Sequence, residues 1–147
     1  MFRENLDIVS QVNYYHASDL CRENQGHLVS TRTTEKMQLI QSFMNADIPN
    51  IWIGANDIQQ EGTFVWEDDG SPMTAQQQLE LFRPGEPSDG GPGNTEDCVS
   101  LYYRIPNLND ATCHSTYAFV CEMQIVVTSS QAVSLELPVL LSSSIQD

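Results

Sequence analysis

Between residues 86 and 113 the chain reads EPSDGGPGNTEDCVSLYYRIPNLNDATC. The first part belongs to a longer run, residues 83–97, dense in Gly and Pro and almost without large apolar side chains. A loop of that length inside a compact domain is usually either functional or disordered. Val99 to Ile105 then reads as a strand, and Cys98 and Cys113 bracket it. Oxygen-bearing side chains gather at the margins. Glu86, Ser88 and Asp89 lie in the loop, Glu96 and Asp97 immediately precede Cys98, and Asn109 and Asp110 come just before Cys113.

Upstream, Ile51-Trp52-Ile53-Gly54 reads as a short buried strand, with Asp57 and Glu61 flanking the turn after it. Gly62 to Trp66 reads as another strand, followed by a turn over Asp68 to Pro72. Two helices are expected before these. One spans 14–25, capped by Asn13 and stopped at Gly26, and one spans 34–46, capped by Thr33 or Thr34. His27 to Ser30 reads as extended, Asn5 to Val9 as an atypical first strand, and Tyr117 to Cys121 as the last strand. Helices first and short strands afterwards make an α+β domain over 1–123, with 124–147 a loosely attached extension.

The chain has 147 residues, 20 Asp plus Glu against 6 Lys plus Arg, and a net charge of −14. One compact domain is the natural expectation at that length. Such acidity repels phosphate backbones and anionic lipid, so nucleic acid is not an expected partner. No run of about 18 apolar residues is present, so membrane insertion is not expected. The residues at the start carry no apolar stretch and do not read as a signal peptide. Four cysteines (Cys21, Cys98, Cys113, Cys121) are even in number and lack C-x-x-C spacing, which argues against a zinc knuckle. Spacing alone leaves three disulfide pairings open.

The clustered side chains are hard oxygen donors. Ca2+ takes six to eight oxygens from carboxylates, amides, backbone and water, whereas Mg2+ usually keeps one or two carboxylates plus substrate phosphates. The inventory suits Ca2+. No EF-hand loop is present, and His16, His27 and His114 are not spaced as a transition-metal set. Taken singly, Asp57 and Glu61 read as a solvated turn, Glu86-Pro87-Ser88 as an ordinary loop and Glu96-Asp97 as a surface acidic pair.

In order and spacing these segments resemble the C-type lectin-like domain. Cys21 lies in the first helix, Trp52-Ile53-Gly54-Ala55 stands for the family's WIGL strand, and Glu86-Pro87-Ser88 for its EPN or QPD triplet. Glu96-Asp97-Cys98, Leu108-Asn109-Asp110 for WND, Cys113, and Phe119-Val120-Cys121-Glu122 complete the series. The resemblance covers about residues 2–123 and reverses the single-motif readings. It implies two helices, two small antiparallel sheets, a long calcium-binding loop, and disulfides Cys21–Cys121 and Cys98–Cys113. Disulfides in turn imply a secreted, extracellular protein.

Carried over by position, the resemblance assigns a principal Ca2+ site to Glu86, Ser88, Glu96, Asn109 and Asp110, with Glu86–Pro87 a cis peptide. An accessory Ca2+ site would use Asp57, Glu61, Asp89 and Asp97. The implied function is calcium-dependent carbohydrate binding, in which the principal ion takes two vicinal sugar hydroxyls and the five principal-site residues also contact the sugar. Affinity should fall on acidification, because the cages need ionised carboxylates. Glu86 follows the mannose-type pattern, Ser88 removes the partner on which that rule depends, and the Gly90–Gly93 loop tips the balance slightly toward galactose. Trp66 reads as core rather than as a sugar platform. A shallow site suggests weak monovalent binding, and any homo-oligomer would form through the domain's own surface. Defence, innate immunity, adhesion and clearance all fit. The alternative is a calcium-loaded domain that binds a protein or another non-sugar ligand. A carboxylate-pair hydrolase is disfavoured, because every clustered carboxylate is claimed by metal; the protein is not expected to be an enzyme.

Overall fold

The computed structural model describes residues 11–88, 95–126 and 134–140, the last seven and 124–126 as backbone. Asn5 to Val9, Asp89 and Gly90 to Gly93 lie outside the described residues. Among those described, three helices and seven strands follow in the order α1 (Tyr14–Glu23), β1 (Gly26–Leu28), α2 (Thr34–Gln41), β2 (Asn50–Asn56), β3 (Val65–Trp66), α3 (Ala75–Leu81), β4 (Cys98–Tyr102), β5 (Ile105–Ala111), β6 (Ala118–Val126) and β7 (Ser134–Leu140).

The first two helices start where the caps require. Asn13 Oδ1 accepts from His16 N at 2.9 Å, and Thr33 Oγ1 accepts from Lys36 N at 3.2 Å. Helix α1 ends without help from Gly26, because Gln25 takes the positive φ of 64°. Helix α2 is shorter than its apolar stripe suggests and closes in tight turns after Gln41.

Helix α3 is absent from the sequence expectation. It carries little apolar signal, since Leu81 is buried but Leu79 is 79% exposed. A capping box starts it instead: Gln77 N donates to Thr74 Oγ1 and Thr74 N to Gln77 Oε1, both at 3.0 Å.

The strands run in the order β1-β6-β2-β4-β5, with β3 on β2 and β7 on β6. Two antiparallel groups share β6. Its start pairs in parallel with β2, and its remainder pairs antiparallel with β1 and β7. Strand β7 lies within the extension expected to be loosely attached. Its Pro138, opposite Glu122, is tolerated because β7 is an edge strand. The run expected as one strand from Val99 to Ile105 is a hairpin, turning at Tyr103-Arg104 between β4 and β5.

Strand β2 is buried on both faces. Ile51, Ile53 and Ala55 join one core with Met37, Ile40, Trp66, Leu101 and Leu108, while Trp52 joins the other with Tyr14, Ala17, Leu28 and Phe119. That explains its unbroken apolar sequence. Trp52 Nε1 finds a partner in Val12 O at 2.8 Å. The disulfides are Cys21–Cys121, joining α1 to β6, and Cys98–Cys113, joining the start of β4 to the segment after β5.

Gly54 lets β1 and β2 approach: a Cβ there would lie 2.7 Å from Leu28 O. Gly54→Ala is therefore expected to cost about 1–3 kcal/mol by overpacking, seen as a melting temperature several degrees lower. An unchanged thermal transition contradicts this packing.

Candidate functional site

Two groups of oxygen donors sit where β2, β4 and β5 end. The first is built on the turn after β2. A register shift between Ile53 and Asn56 bends that strand opposite Cys98, and Asp57 N then donates to Asp97 O at 2.9 Å. Asn56 is fixed by Nδ2 donating to Tyr14 Oη at 3.1 Å and Oδ1 accepting from Ile58 N at 3.1 Å. Burial, with the nearby Glu67 charge adding to it, pushes the Tyr14 phenol far above its usual range, so it stays neutral. The turn closes when Gly62, at φ +83°, donates its N–H to Asp57 Oδ2 at 2.8 Å. Ligand atoms of Asp57, Glu61 and Asp97 consequently lie within 4.8 Å of one another, Asp57 being buried and Glu61 exposed. Three carboxylates this close repel one another unless a cation joins them, and all their donors are the hard oxygens that Ca2+ prefers.

The second group depends on how residues 82–88 dock onto β5. Phe82 is buried beside Phe64, with ring centroids 5.4 Å apart, and bridges to Leu108; Arg83 N donates to Leu108 O at 3.2 Å. The chain then turns back, with Glu86 N donating to Arg83 O at 2.9 Å, and Glu86–Pro87 is cis. Ser88 N donates to Asp110 Oδ1 at 3.2 Å, and Asn109 Nδ2 donates to Asp110 O at 2.6 Å. Asp110 itself is buried on the strand face that carries Leu108.

Glu86, Ser88, Asn109 and Asp110 are thus brought together by direct contacts. Glu96 is half-buried in the segment entering β4, next to Asp97 of the first group. Asp89 lies outside the described residues. Trp66 is fully buried, with the Arg32 guanidinium 5.2 Å from its ring.

One residue of this group escaped the sequence reading. Arg83 Nη2 donates to Glu86 Oε2 at 3.3 Å and to Asn109 Oδ1 at 3.2 Å. The available signal was a basic residue three positions before Glu86 in an otherwise acidic run. Burial raises the Glu86 pKa, but hydrogen bonds involving Asp110, Ser88 and Arg83 outweigh it and hold the carboxyl below its ordinary value.

A family model described as the lectin C-type domain matches residues 10–123. The low affinity immunoglobulin epsilon Fc receptor of Mus musculus is 39% identical over 103 residues, 69% of this chain and 28% of that protein. C-type lectin 37Da of Drosophila melanogaster is 31% identical over 124 residues, 77% of this chain and 63% of that one. The chain thus spans less than two thirds of these two relatives. Salivary C-type lectin 1 of Aedes albopictus is 33% identical over 121 residues, 75% of each chain. Among solved structures, the mouse scavenger receptor C-type lectin carbohydrate-recognition domain superposes with a TM-score of 0.67 at 28% identity, covering 78% of this chain and 84% of that one. The cow CD23 carbohydrate-recognition domain, solved in the presence of a GlcNAc2Man3 oligosaccharide, gives 0.62 at 29% identity, covering 77% and 81%.

The lowered Glu86 pKa has a sign that can be tested without metal. The carboxylate's contacts contribute stability above the unfolded pKa of about 4.3, and this is lost as pH falls through the lower folded value. With chelator present, the melting-temperature gap between wild type and Glu86→Gln should be largest near neutrality and shrink below about pH 4. A gap independent of pH contradicts the assignment.

Proposed function

The chain belongs to the C-type lectin domain family, and on that premise we propose that it binds carbohydrate through calcium, with Glu86, Ser88, Glu96, Asn109 and Asp110 holding the principal ion. Asp57, Glu61 and Asp97, with Asp89, would hold an accessory ion. The observation that supports this most is the gathering of Asp57, Glu61 and Asp97, whose ligand atoms lie within 4.8 Å of one another; a second group joins Ser88 and Asn109 to Asp110 by hydrogen bonds. Bound Ca2+ would supply a Lewis-acidic centre that takes lone pairs from two vicinal sugar hydroxyls. The protein's own groups would do the rest. The Glu86 and Glu96 carboxylates would accept hydrogen bonds from the sugar hydroxyls, and the Asn109 amide would donate one to them. Such hydrogen bonds are charge-assisted and fix the sugar's orientation. No bond is made or broken, so the activity is recognition rather than catalysis.

The sugar would be of galactose or mannose type. Ser88, in place of the family's Asn or Asp, shortens the reach of that ligand but keeps a hydroxyl that can both coordinate and donate. The galactose preference comes from the glycine-rich loop. The oligosaccharide present with the cow CD23 domain contains mannose and keeps the mannose series open. The two disulfides suit an extracellular setting. A second reading, binding of a protein ligand, is favoured by the mouse relative named as a receptor for immunoglobulin epsilon Fc.

Screening on an array of galactose- and mannose-terminated glycans tests the main reading. Binding is expected in calcium, abolished by EDTA, and lost in Asp110→Ala while the thermal transition persists. Equal binding with and without EDTA, or an unaffected Asp110→Ala, overturns it. Calcium affinity should also fall at least about tenfold between pH 7.5 and pH 4, where ordinary carboxylates protonate; equal affinities contradict a carboxylate cage.

A further inference from the structure

Beside Asn109 lies an open groove of about 170 Å³, lined by residues that include Arg83, Ser100, Tyr102, Asn107, Asn109 and Tyr117. It follows β5 from Asn109 toward the β4–β5 turn, because Asn109 and Asn107 lie on the same face of that strand, and Ser100 sits opposite Asn109 in the ladder. In a chain of net charge −14 the groove has no Asp or Glu in its lining, and Arg83 is its sole charged member. Arg83 spends one nitrogen, Nη2, on Glu86 and Asn109, while its Nη1 and Nε donors make no hydrogen bond among the described residues. Its side chain is 38% exposed.

The other arginine nearby in the chain, Arg104, lies outside the lining. Arg104 occupies the turn between Tyr102 and Ile105, both of which line the groove. It packs on Tyr103, with Nε donating to the Tyr103 hydroxyl at 2.7 Å, and has no carboxylate partner among the described residues. Arg22, Arg32, Lys36 and Arg83 are all paired with carboxylates, Arg83 through Nη2 alone.

We propose that this groove is a subsite for an anionic substituent, a sulfate ester or a carboxylate, on the glycan held at the principal site, with Arg83 as its recognising charge. The proposal rests on the carbohydrate reading above and names the ligand class for the same site. A guanidinium presents paired N–H donors that match the oxygens of either anion. Amide and hydroxyl groups of Asn107, Ser100, Tyr102 and Tyr117 supply neutral hydrogen-bonding partners that an anion tolerates. The protein's bulk charge does not veto this, because at physiological salt fields fade over about 8 Å; the near carboxylate, Glu86, engages only Nη2 of Arg83.

The test uses the full chain in calcium and compares galactose, galactose 6-sulfate and galacturonic acid, with the matching mannose series, by competition at 0.15 M salt. The quantity read is the ratio of anionic to neutral affinity, which divides out any general loss of calcium binding. For wild type the ratio should be about two to five, as one partly exposed charge pair can supply. It should fall toward one in Arg83→Gln and in Asn107→Asp, and be partly restored in Arg83→Lys. A gain with both anions assigns the recognition to charge, and a gain with the sulfate alone assigns it to sulfate. A ratio near one in wild type while the neutral sugar binds, or a ratio unchanged in Arg83→Gln, overturns the subsite and leaves the carbohydrate reading standing. No calcium-dependent binding of any of these sugars overturns both.

Discussion

The pairing of β4 with β5 sets the geometry of the whole binding end. In that ladder Val99 faces Asp110 and Cys98 faces Ala111, and the Cys98–Cys113 disulfide locks the end where the register matters. Because strand side chains alternate, the register sends Leu108 and Asp110 to one face and Asn107 and Asn109 to the other. A slip of one residue would exchange these sets and bury the asparagines. Leu108 then anchors the returning loop through Phe82 and Arg83, which brings Glu86 and Ser88 to Asp110. The same strand end, through Asp97, fixes the turn that holds Asp57 and Glu61. Both clusters of oxygen donors therefore hang on one antiparallel pairing.

Acidity is used unevenly across the molecule. Of the 20 carboxylates, some are gathered at the turn after β2 and beside β5, and others are balanced locally, as where Arg32 spans Asp68 and Asp69 and Lys36 meets the buried Glu122. The groove along β5 is the exception, with Arg83 as its one charged lining residue and neutral polar groups beside it. A sugar bridging both regions would meet metal-seeking carboxylates on one side and guanidinium on the other.

Much of this was legible in the sequence because it is written in residue types that have few other uses. Asn13 and the Thr33-Thr34 pair announce helix starts, the apolar run at Ile51–Gly54 announces a buried strand, and the ordered Cys, Trp-Ile-Gly and Asn-Asp motifs carry the fold and the disulfide pairing. What escaped was either weakly patterned or set by distant contacts. Helix α3 lacks an apolar stripe and rests on the Thr74–Gln77 box. The β4–β5 turn is made of Tyr103 and Arg104, neither a turn former, so the apolar run from Val99 to Ile105 conceals it. Pairing of Ser134–Leu140 with β6 is a long-range event with no local signature. The place of Arg83 follows from the docking of Phe82 on Leu108, which nothing near Arg83 in the chain announces.

The central claim is that these oxygen clusters bind calcium, and a calcium titration by isothermal calorimetry addresses it most directly. The account predicts saturable binding of about two ions per chain, with affinities in the micromolar to millimolar range of oxygen-ligand sites. Asp110→Ala should remove the principal ion and Asp57→Ala the accessory one. A titration with no saturable heat, or a stoichiometry that neither substitution changes, would contradict it.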